Sequence, residues 1–266
     1  MWMASNYMFM NNNKTEYLPV IPKTATATAL VDGSVIRVGD ATITASRFVR
    51  NLGVVIDHHL DFKKQVSSIV IVCSFHLRHI NKMSRYLPMV TKERVVNAII
   101  TSWLDYCNCL LYGTSVNNIA RLQRIHNSAA RLILRRPRRD SAMPLLCILH
   151  WLPVPQRIEF KIIAFTYKAV HGNAPKYLSD LVCPYKPARA LCSANNNLLT
   201  VVRTYVKAGD NSFVVAAATL WNVLHVHSNI KTFACLATFE ARLKTHFFLL
   251  LLRLSLMFVY FYRYFS

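Results

Sequence analysis

From Ser67 onward, apolar residues recur at helical spacing, in blocks that end at a proline or a glycine. This periodicity constrains the fold most, because a helix buries such a pattern on one face and a strand does not. Only 6 of the 266 residues are glycine and 53% are hydrophobic, which favours packed helices over a turn-rich β-sandwich. Residues 1–66 differ, since the β-branched runs "ALVDGSVIRVG" and "RNLGVVID" are typical of strands joined by turns. We therefore predict an α+β fold, predominantly helical, with a small N-terminal antiparallel strand region.

Capping and breaking residues set the expected limits of the helices. Pro88 ends the first helix, Thr91 is the expected N-cap of the second, and Gly172 ends a long amphipathic helix. The stretch "LLTVVRTYV" predicts a strand in an otherwise loose region, residues 183–211. The predicted helices cover residues 67–86, 92–111 and 116–135, a short and a longer helix on either side of a Pro-x-Pro break, 213–224, and 232–248.

The charge balance predicts an anionic partner. Lysine and arginine outnumber the acids by 32 to 12. Such an excess is typical of proteins that bind nucleic acid or an acidic membrane surface. Composition alone leaves both partners open.

The positive charge is concentrated in "RLQRIHNSAARLILRRPRRD", residues 121–140, where seven arginines face a single acid. On a helical wheel one face is apolar, and four of the arginines share another. Pro137 should end the helix by Arg135 or Arg136 and leave "RRPRRD" as an exposed basic turn. The apolar face comprises Ile119, Leu122, Ile125, Ala129, Leu132 and Ile133, and the basic face Arg121, Arg124, Arg131 and Arg135.

Two interpretations of these arginines stay open: a solvated surface, or contact with a nucleic-acid backbone. Seven arginines exceed what solubility requires, and the planar guanidinium pairs with two phosphate oxygens at once, so we favour backbone contact. Tyr112, His126 and Trp151 are candidates either for base stacking or for the core. The predicted nucleic-acid-binding residues are Arg121, Arg124, Arg131, Arg135, Arg136, Arg138 and Arg139.

Catalytic and metal-binding motifs are not found in the sequence. It contains no GxSxG, GxxxxGKS/T, GxGxxG or HExxH pattern. Cys107 and Cys109 in "DYCNC" are candidate metal ligands, but the usual ligand pairs are missing there. His58 and His59 lie beside two acids in "DHHLDF" and could also bind a metal, but a polar turn is the better interpretation of that motif. We predict no catalytic residue and no metal site in this chain.

The seven cysteines show no CxxC spacing, and the chain begins without a signal-like apolar run. Both features predict a reducing compartment, cytoplasmic or nuclear. The tail "FFLLLLRLSLMFVYFYRYFS" approaches membrane length, but Arg253 near its middle costs roughly 2.5–3.5 kcal/mol on insertion scales. A basic membrane-associated protein anchored by this tail is therefore the alternative function, with weak interfacial association expected instead of a true span.

Several motifs follow one another in the order seen in a known family. They are "RNLGVVIDHHLDFKKQVSSI", "FHLRHINKMSRYLP", "AIITSWLDYCNCLLYG", "RLQRIHNSAARLI", "LHWLPVPQRIEFKIIAFTYKAVHGNAPKYLSDL", "LWNVL" and "TFEARLKTHFF". From about Trp2 to Phe248 the chain resembles the C-terminal part of non-LTR (LINE-type) retrotransposon reverse transcriptases, which are RNA-directed DNA polymerases.

The resemblance implies four regions. Residues 1–66 are similar to the end of the palm, where Lys14 matches a palm-motif lysine associated with nucleotide addition. Residues 67–140 are similar to the thumb, which holds template–primer duplex by its backbone. Residues 141–248 correspond to a mostly helical C-terminal region, and residues 249–266 form an apolar tail. A hairpin that grips the primer end is matched by Asn51, Leu52, Gly53 and Val54.

The resemblance also implies which chemistry is missing. In this family, the carboxylates that hold the catalytic Mg²⁺ ions lie upstream, in an Ala-Asp-Asp turn and an earlier aspartate. Neither is present in this sequence. We therefore expect a truncated fragment that binds RNA–DNA or DNA duplex, has no cofactor of its own, and extends no primer alone.

Overall fold

A computed structural model provides the fold, and it divides the chain into two compact units, residues 1–69 and 70–266. The first unit carries the strands and the second is helical, which confirms the predicted α+β, predominantly helical fold. The predicted domain limits at residues 66, 140 and 248 stay predictions. The structure describes residues 5–7, 11, 14–21, 33–39, 41–186, 197–225 and 235–264, the last helix by its backbone alone from residue 253.

The N-terminal unit contains two antiparallel hairpins. Strand β1 (Val35–Val38) pairs with β2 (Ala41–Thr44), and β3 (Phe48–Asn51) pairs with β4 (Val54–Asp57). In the second hairpin the turn has two residues, because Asn51 lies opposite Val54. The predicted small strand region is therefore present, as two separate two-stranded sheets.

Helix α1 (Lys63–Met83) begins four residues earlier than the sequence predicted. The Asp57 carboxylate explains the early start, because it accepts hydrogen bonds from the backbone amides of His59, Asp61 and Phe62 at 3.1, 2.9 and 2.7 Å. These bonds fix the turn that leads into the helix. "DHHLDF" is therefore the polar turn that was the favoured interpretation.

The second predicted helix is not continuous, so this prediction was wrong. Helix α2 (Met89–Val96) has Pro88 at its N-cap instead of Thr91, and it runs through a π-helix (Asn97–Thr101) into the short α3 (Ser102–Asp105). The chain then turns at Cys107, whose φ of 51° is left-handed, before a 3₁₀-helix (Asn108–Leu111). A left-handed residue cannot continue a right-handed helix, and the break follows.

The remaining helices form the core of the second unit. Helix α4 (Val116–Leu134) is followed by α5 (Ala142–Ile148) and α6 (Val154–Val170), as the Pro-x-Pro break predicted. Helix α6 packs against α4 and against two later helices, defined below, and it ends before Gly172, whose φ is +70°. One hydrophobic core cluster includes the buried rings of Trp221, Tyr167 and Phe239.

The predicted strand "LLTVVRTYV" is wrong. It forms one isolated bridge, between Pro184 and Leu199, and no ladder within the described residues. The Asn222 side chain explains this, because it donates to the Leu199 carbonyl at 2.8 Å and accepts from the Leu199 amide at 2.9 Å. A side chain thus occupies the positions that a neighbouring strand would take.

The last four helices are α7 (Lys176–Ser179), α8 (Lys207–Asp210), α9 (Phe213–His225) and α10 (Leu236–Tyr264). Helices α9 and α10 correspond to the two predicted at 213–224 and 232–248, although α10 begins later and continues into the apolar tail. Residues 232–234 of the second prediction lie outside the described part. Among the helices that the structure describes, none is both long enough and apolar enough to cross a membrane.

Candidate nucleic-acid interface

The arginine-rich helix α4 is specified at both ends by its own sequence. The Ser115 hydroxyl accepts a hydrogen bond from the Asn118 amide at 3.3 Å and caps the N-terminus. At the C-terminus Arg135 is left-handed with φ of 51°, and the Arg136 amide donates back to the Arg131 carbonyl at 2.9 Å. The helix therefore ends where Pro137 predicted. Its buried face contains Asn118, Leu122, Ile125, His126, Ala129, Ala130 and Ile133.

The seven arginines of residues 121–139, called the arginine segment below, differ in exposure. Arg121 and Arg131 are half-buried, and the other five side chains are exposed. Asp140 is the single acid of the stretch, and it is half-buried. The exposed members are Arg124, Arg135, Arg136, Arg138 and Arg139.

Two of the arginines hold the backbone around the end of α4. The Arg131 guanidinium donates to the Asp140 carbonyl oxygen from Nε at 3.2 Å and from Nη2 at 2.8 Å, which closes the basic turn. Arg135 Nη2 donates to the carbonyl oxygens of Ser84 and Arg85 at 3.2 and 3.3 Å. These arginines order the turn without losing charge, because a carbonyl oxygen is a neutral acceptor.

Lys92 also stabilises the C-terminal end of α4, and the sequence analysis did not predict this role. Its side chain is 1% exposed, and Nζ donates to the Ile133 carbonyl at 3.0 Å. Burial, and next the charge of Arg135, lower the pKa of this lysine. The spacing of Lys92 in the sequence could have indicated its burial, because it lies four and eight residues before Val96 and Ile100, which are buried on the same helix face.

His126 and Trp151 belong to the core and not to the exposed arginine surface. Both are buried, and their rings stack with centroids 5.0 Å apart and planes at 14°. Neither ring nitrogen of His126 has a hydrogen-bond partner within the described residues. Burial, and next the charge of Arg157, lower the pKa of His126 to about 3, so the ring is neutral at physiological pH. Tyr112 is half-buried.

The primer-grip-like residues form the tip of the second hairpin. Leu52 and Gly53 both have positive φ, 46° and 82°, as a two-residue type I′ turn requires. Leu52 is 83% exposed, while Val54 is buried and holds the hairpin on its unit. Asn51 is exposed at the end of β3. Lys14, the palm-motif candidate, is also exposed, and its amide donates to the Asn11 carbonyl at 3.0 Å.

The residues of the two candidate metal-binding motifs, "DHHLDF" and "DYCNC", have other structural roles. The carboxylate of Asp57 is taken up by backbone amides, as described above. Cys107 is exposed and left-handed, while burial raises the pKa of the Cys109 thiol to about 11 and keeps it protonated. In the part of the chain that the structure covers, no three histidine, cysteine or acidic side chains are grouped as a metal ion would require.

Comparison with protein-family models, with curated proteins and with solved structures gives no match for this chain. The candidate interface is therefore argued from its geometry. It consists of an exposed basic helix face and a basic turn, fixed by bonds from two of its own arginines to backbone carbonyls. Such a surface presents several guanidinium groups to an extended anion.

Proposed function

We propose that this chain binds RNA–DNA or DNA duplex through the phosphate backbone, as a thumb-like region similar to that of non-LTR retrotransposon reverse transcriptases. The arginine segment makes the contacts. A nuclear or cytoplasmic location follows from such a partner. The chain contributes duplex binding and no polymerase chemistry, since the metal-holding carboxylates of that family have no counterpart in its sequence.

The observation that carries the proposal is the state of four exposed arginines. Arg124, Arg136, Arg138 and Arg139 make no side-chain hydrogen bond or ion pair to any residue that the structure describes. Their charges are therefore uncompensated and their donors are directed to solvent. A guanidinium with free donors can donate two hydrogen bonds to a pair of phosphate oxygens. Several such arginines along one helix and turn can contact successive phosphates of a nucleic-acid backbone.

The fixed turn supports the same proposal. Arg131 is bonded to the Asp140 carbonyl, and Arg135 is bonded to the carbonyls of Ser84 and Arg85, so the exposed arginines extend from an ordered scaffold. An ordered scaffold loses less conformational entropy on binding than a free arginine-rich tail does. Phosphate contacts position a protein on a duplex without specifying its sequence, and we expect little sequence preference.

The test is a filter-binding titration of an RNA–DNA hybrid at several salt concentrations. The double variant Arg124→Gln with Arg138→Gln removes two charges that hold no backbone in place. Its log–log salt slope should fall by roughly 0.9 for each arginine that meets a phosphate, and its affinity should fall at every salt concentration. Arg131 is avoided here, because its loss also releases the Asp140 carbonyl.

A matched control removes the same charge elsewhere. Lys176→Gln with Arg203→Gln also eliminates two exposed positive side chains of the helical unit, both outside the arginine segment. If net charge alone attracts the duplex, both double variants weaken binding equally, and the proposed interface is wrong. Circular dichroism on the same samples excludes unfolding as the cause.

A further inference from the structure

A second basic region of the helical unit is concave. A cavity of about 370 Å³ is lined by the π-helix that follows α2, by the first half of α6 and by α10. Its volume lies within the range of pockets that hold small ligands, about 300–1,000 Å³. None of its lining residues belongs to the arginine segment. The cavity is therefore a candidate site separate from the proposed duplex interface.

The charged residues in the cavity favour an anion. Arg157, Lys161 and Lys244 line it, and Asp105 is the one acid among the described residues that do so. Arg157 donates from Nε to Asp105 Oδ1 at 2.8 Å and from Nη2 to Oδ2. This bidentate pair holds the guanidinium in one orientation and offsets part of its charge. The two lysines are left to give the cavity a net charge of about +2.

Lys244 lies close enough to Arg157 for the two charges to repel each other. Burial, and next the charge of Arg157, lower the pKa of Lys244. A bound anion would offset this repulsion, because it interacts favourably with both Arg157 and Lys244. The cavity thus carries an electrostatic cost that an anionic ligand relieves.

Uncharged polar groups complete one side of the cavity. Asn97 and Thr101 are the first and last residues of the π-helix, and both line the cavity. The Thr101 hydroxyl donates to Asn97 Oδ1 at 3.1 Å, which leaves the Asn97 amide nitrogen as a donor. π-helical turns are rare and occur often at functional sites, since they place residues of one helix where regular spacing would not.

Apolar side chains supply the rest of the lining. Trp151 and Leu152 are buried and Phe160 is half-buried. We propose that the cavity binds the phosphate monoester of a small molecule with a planar apolar body, of the kind a nucleoside monophosphate represents. Lys161 and Lys244 bind the phosphate, which is close to a dianion at neutral pH and so matches the charge that they provide. The apolar residues contact the body of the ligand.

Calorimetric titration of the full chain with AMP, adenosine and inorganic phosphate tests the proposal. AMP should bind, inorganic phosphate should bind more weakly, and adenosine should bind at least tenfold more weakly than AMP. Lys161→Gln and Lys244→Gln should each weaken AMP binding by about tenfold, because each removes one charge-assisted hydrogen bond. Thermal melting of each variant checks that it is folded.

Lys168→Gln is the matched control for Lys161→Gln. Both lysines lie on α6, with Nζ 6.0 and 5.8 Å from the Phe165 ring centroid, but Lys168 does not line the cavity. AMP affinity should be unchanged in this control. Equal weakening by both lysine variants would overturn the proposal, and so would adenosine binding as tightly as AMP.

A further arm distinguishes two sources of the same ligand chemistry. An oligonucleotide with a 5′-phosphate is compared with the same strand without it. If AMP binds, the ligand is a free small molecule. If AMP fails but the 5′-phosphate strengthens binding of the strand in a Lys244-dependent way, the ligand is a strand end. Failure of both probes overturns the proposal.

This proposal and the duplex proposal can fail separately. Lys161→Gln and Lys244→Gln should leave the salt slope of duplex binding unchanged. Arg124→Gln with Arg138→Gln should leave AMP affinity unchanged. The results of the two titrations therefore identify which site is wrong.

Discussion

The arginine segment and the cavity hold their arginines in different ways. In the arginine segment, Arg131 and Arg135 donate to backbone carbonyl oxygens, which order the side chains and leave their charge intact. In the cavity, Arg157 donates to the Asp105 carboxylate, which orders the side chain and offsets part of its charge. A neutral acceptor keeps a surface strongly positive, as an extended polyanion requires. A charged acceptor limits the net charge, as a site for one small anion requires.

One residue lies between the two basic regions. His126 extends from the buried face of α4, opposite the exposed arginines, and stacks on Trp151, which lines the cavity. The charge of Arg157 acts on its ring. The two regions therefore share a scaffold although they share no functional residue, and stability measurements can separate scaffold from surface.

The largest expected effect comes from removing the scaffold. Leu122 on α4 is 1% exposed, so Leu122→Ala should lower the free energy of unfolding by about 2–5 kcal/mol. Urea denaturation followed by circular dichroism measures the loss. Leu132→Ala is the control on the same helix, and it should cost less than Leu122→Ala because Leu132 is only half-buried.

Both of these leucine variants keep every arginine. Below their melting temperatures they should therefore bind duplex with the wild-type salt slope. A leucine variant that is folded but has a reduced slope would show that the α4 scaffold and the basic surface cannot be separated in the way we describe.

The next effect depends on pH. The pKa of His126 falls to about 3 in the folded state, against about 6.5 when the chain is unfolded. Between these values the unfolded chain binds a proton that the folded chain does not, so stability decreases as the pH falls below about 6.5. The loss is about 1.4 kcal/mol per pH unit, or about 2 kcal/mol between pH 6.5 and 5.

Chemical denaturation at pH 6.5 and at pH 5 tests this prediction. His126→Phe keeps a flat ring against Trp151 and removes the titrating group. All other titrating groups are the same in the two proteins, so their effects cancel when the variant is compared with the wild type. The variant should lose less stability than the wild type between the two pH values, by about 2 kcal/mol. An identical pH dependence in both proteins would mean that His126 is accessible to protons in the folded state.

The sequence predicted the elements whose determinants are local. The limits of α4 follow from Ser115 and Pro137, and the end of α6 follows from Gly172. The break near Cys107 was missed because helical spacing continues through it. A contact that is distant in the sequence lies beside this break, because Arg157, 52 residues away, donates a hydrogen bond to Asp105 at the end of α3. Tertiary contacts of this kind override local propensity.

The same reasoning explains how much of each basic region the sequence predicted. The arginine segment was visible because its charges are consecutive in the chain and its apolar residues repeat at helical spacing. The cavity was not visible, since Asn97, Lys161 and Lys244 converge from three separate segments. Nor did the sequence indicate that Arg131 and Arg135 differ in role from Arg124, because all three lie on one face of the predicted helix.

This difference among the arginines leads to the smallest expected effect. Arg131→Gln removes two hydrogen bonds to the Asp140 carbonyl. Arg124→Gln removes no side-chain hydrogen bond within the described part of the chain. Because Arg131 is only half-buried, its loss should cost about 1 kcal/mol of stability, whereas the loss of the exposed Arg124 should stay within about 0.5 kcal/mol. Arg131→Lys should restore the charge but not the two-bond geometry, so it should recover salt dependence more fully than stability. Urea denaturation gives the stabilities, and hybrid titration gives the salt slopes. If Arg131→Gln and Arg124→Gln are equally stable, the bonds to Asp140 contribute nothing measurable, and the arginine segment has to be treated as one uniform charged surface without anchoring members.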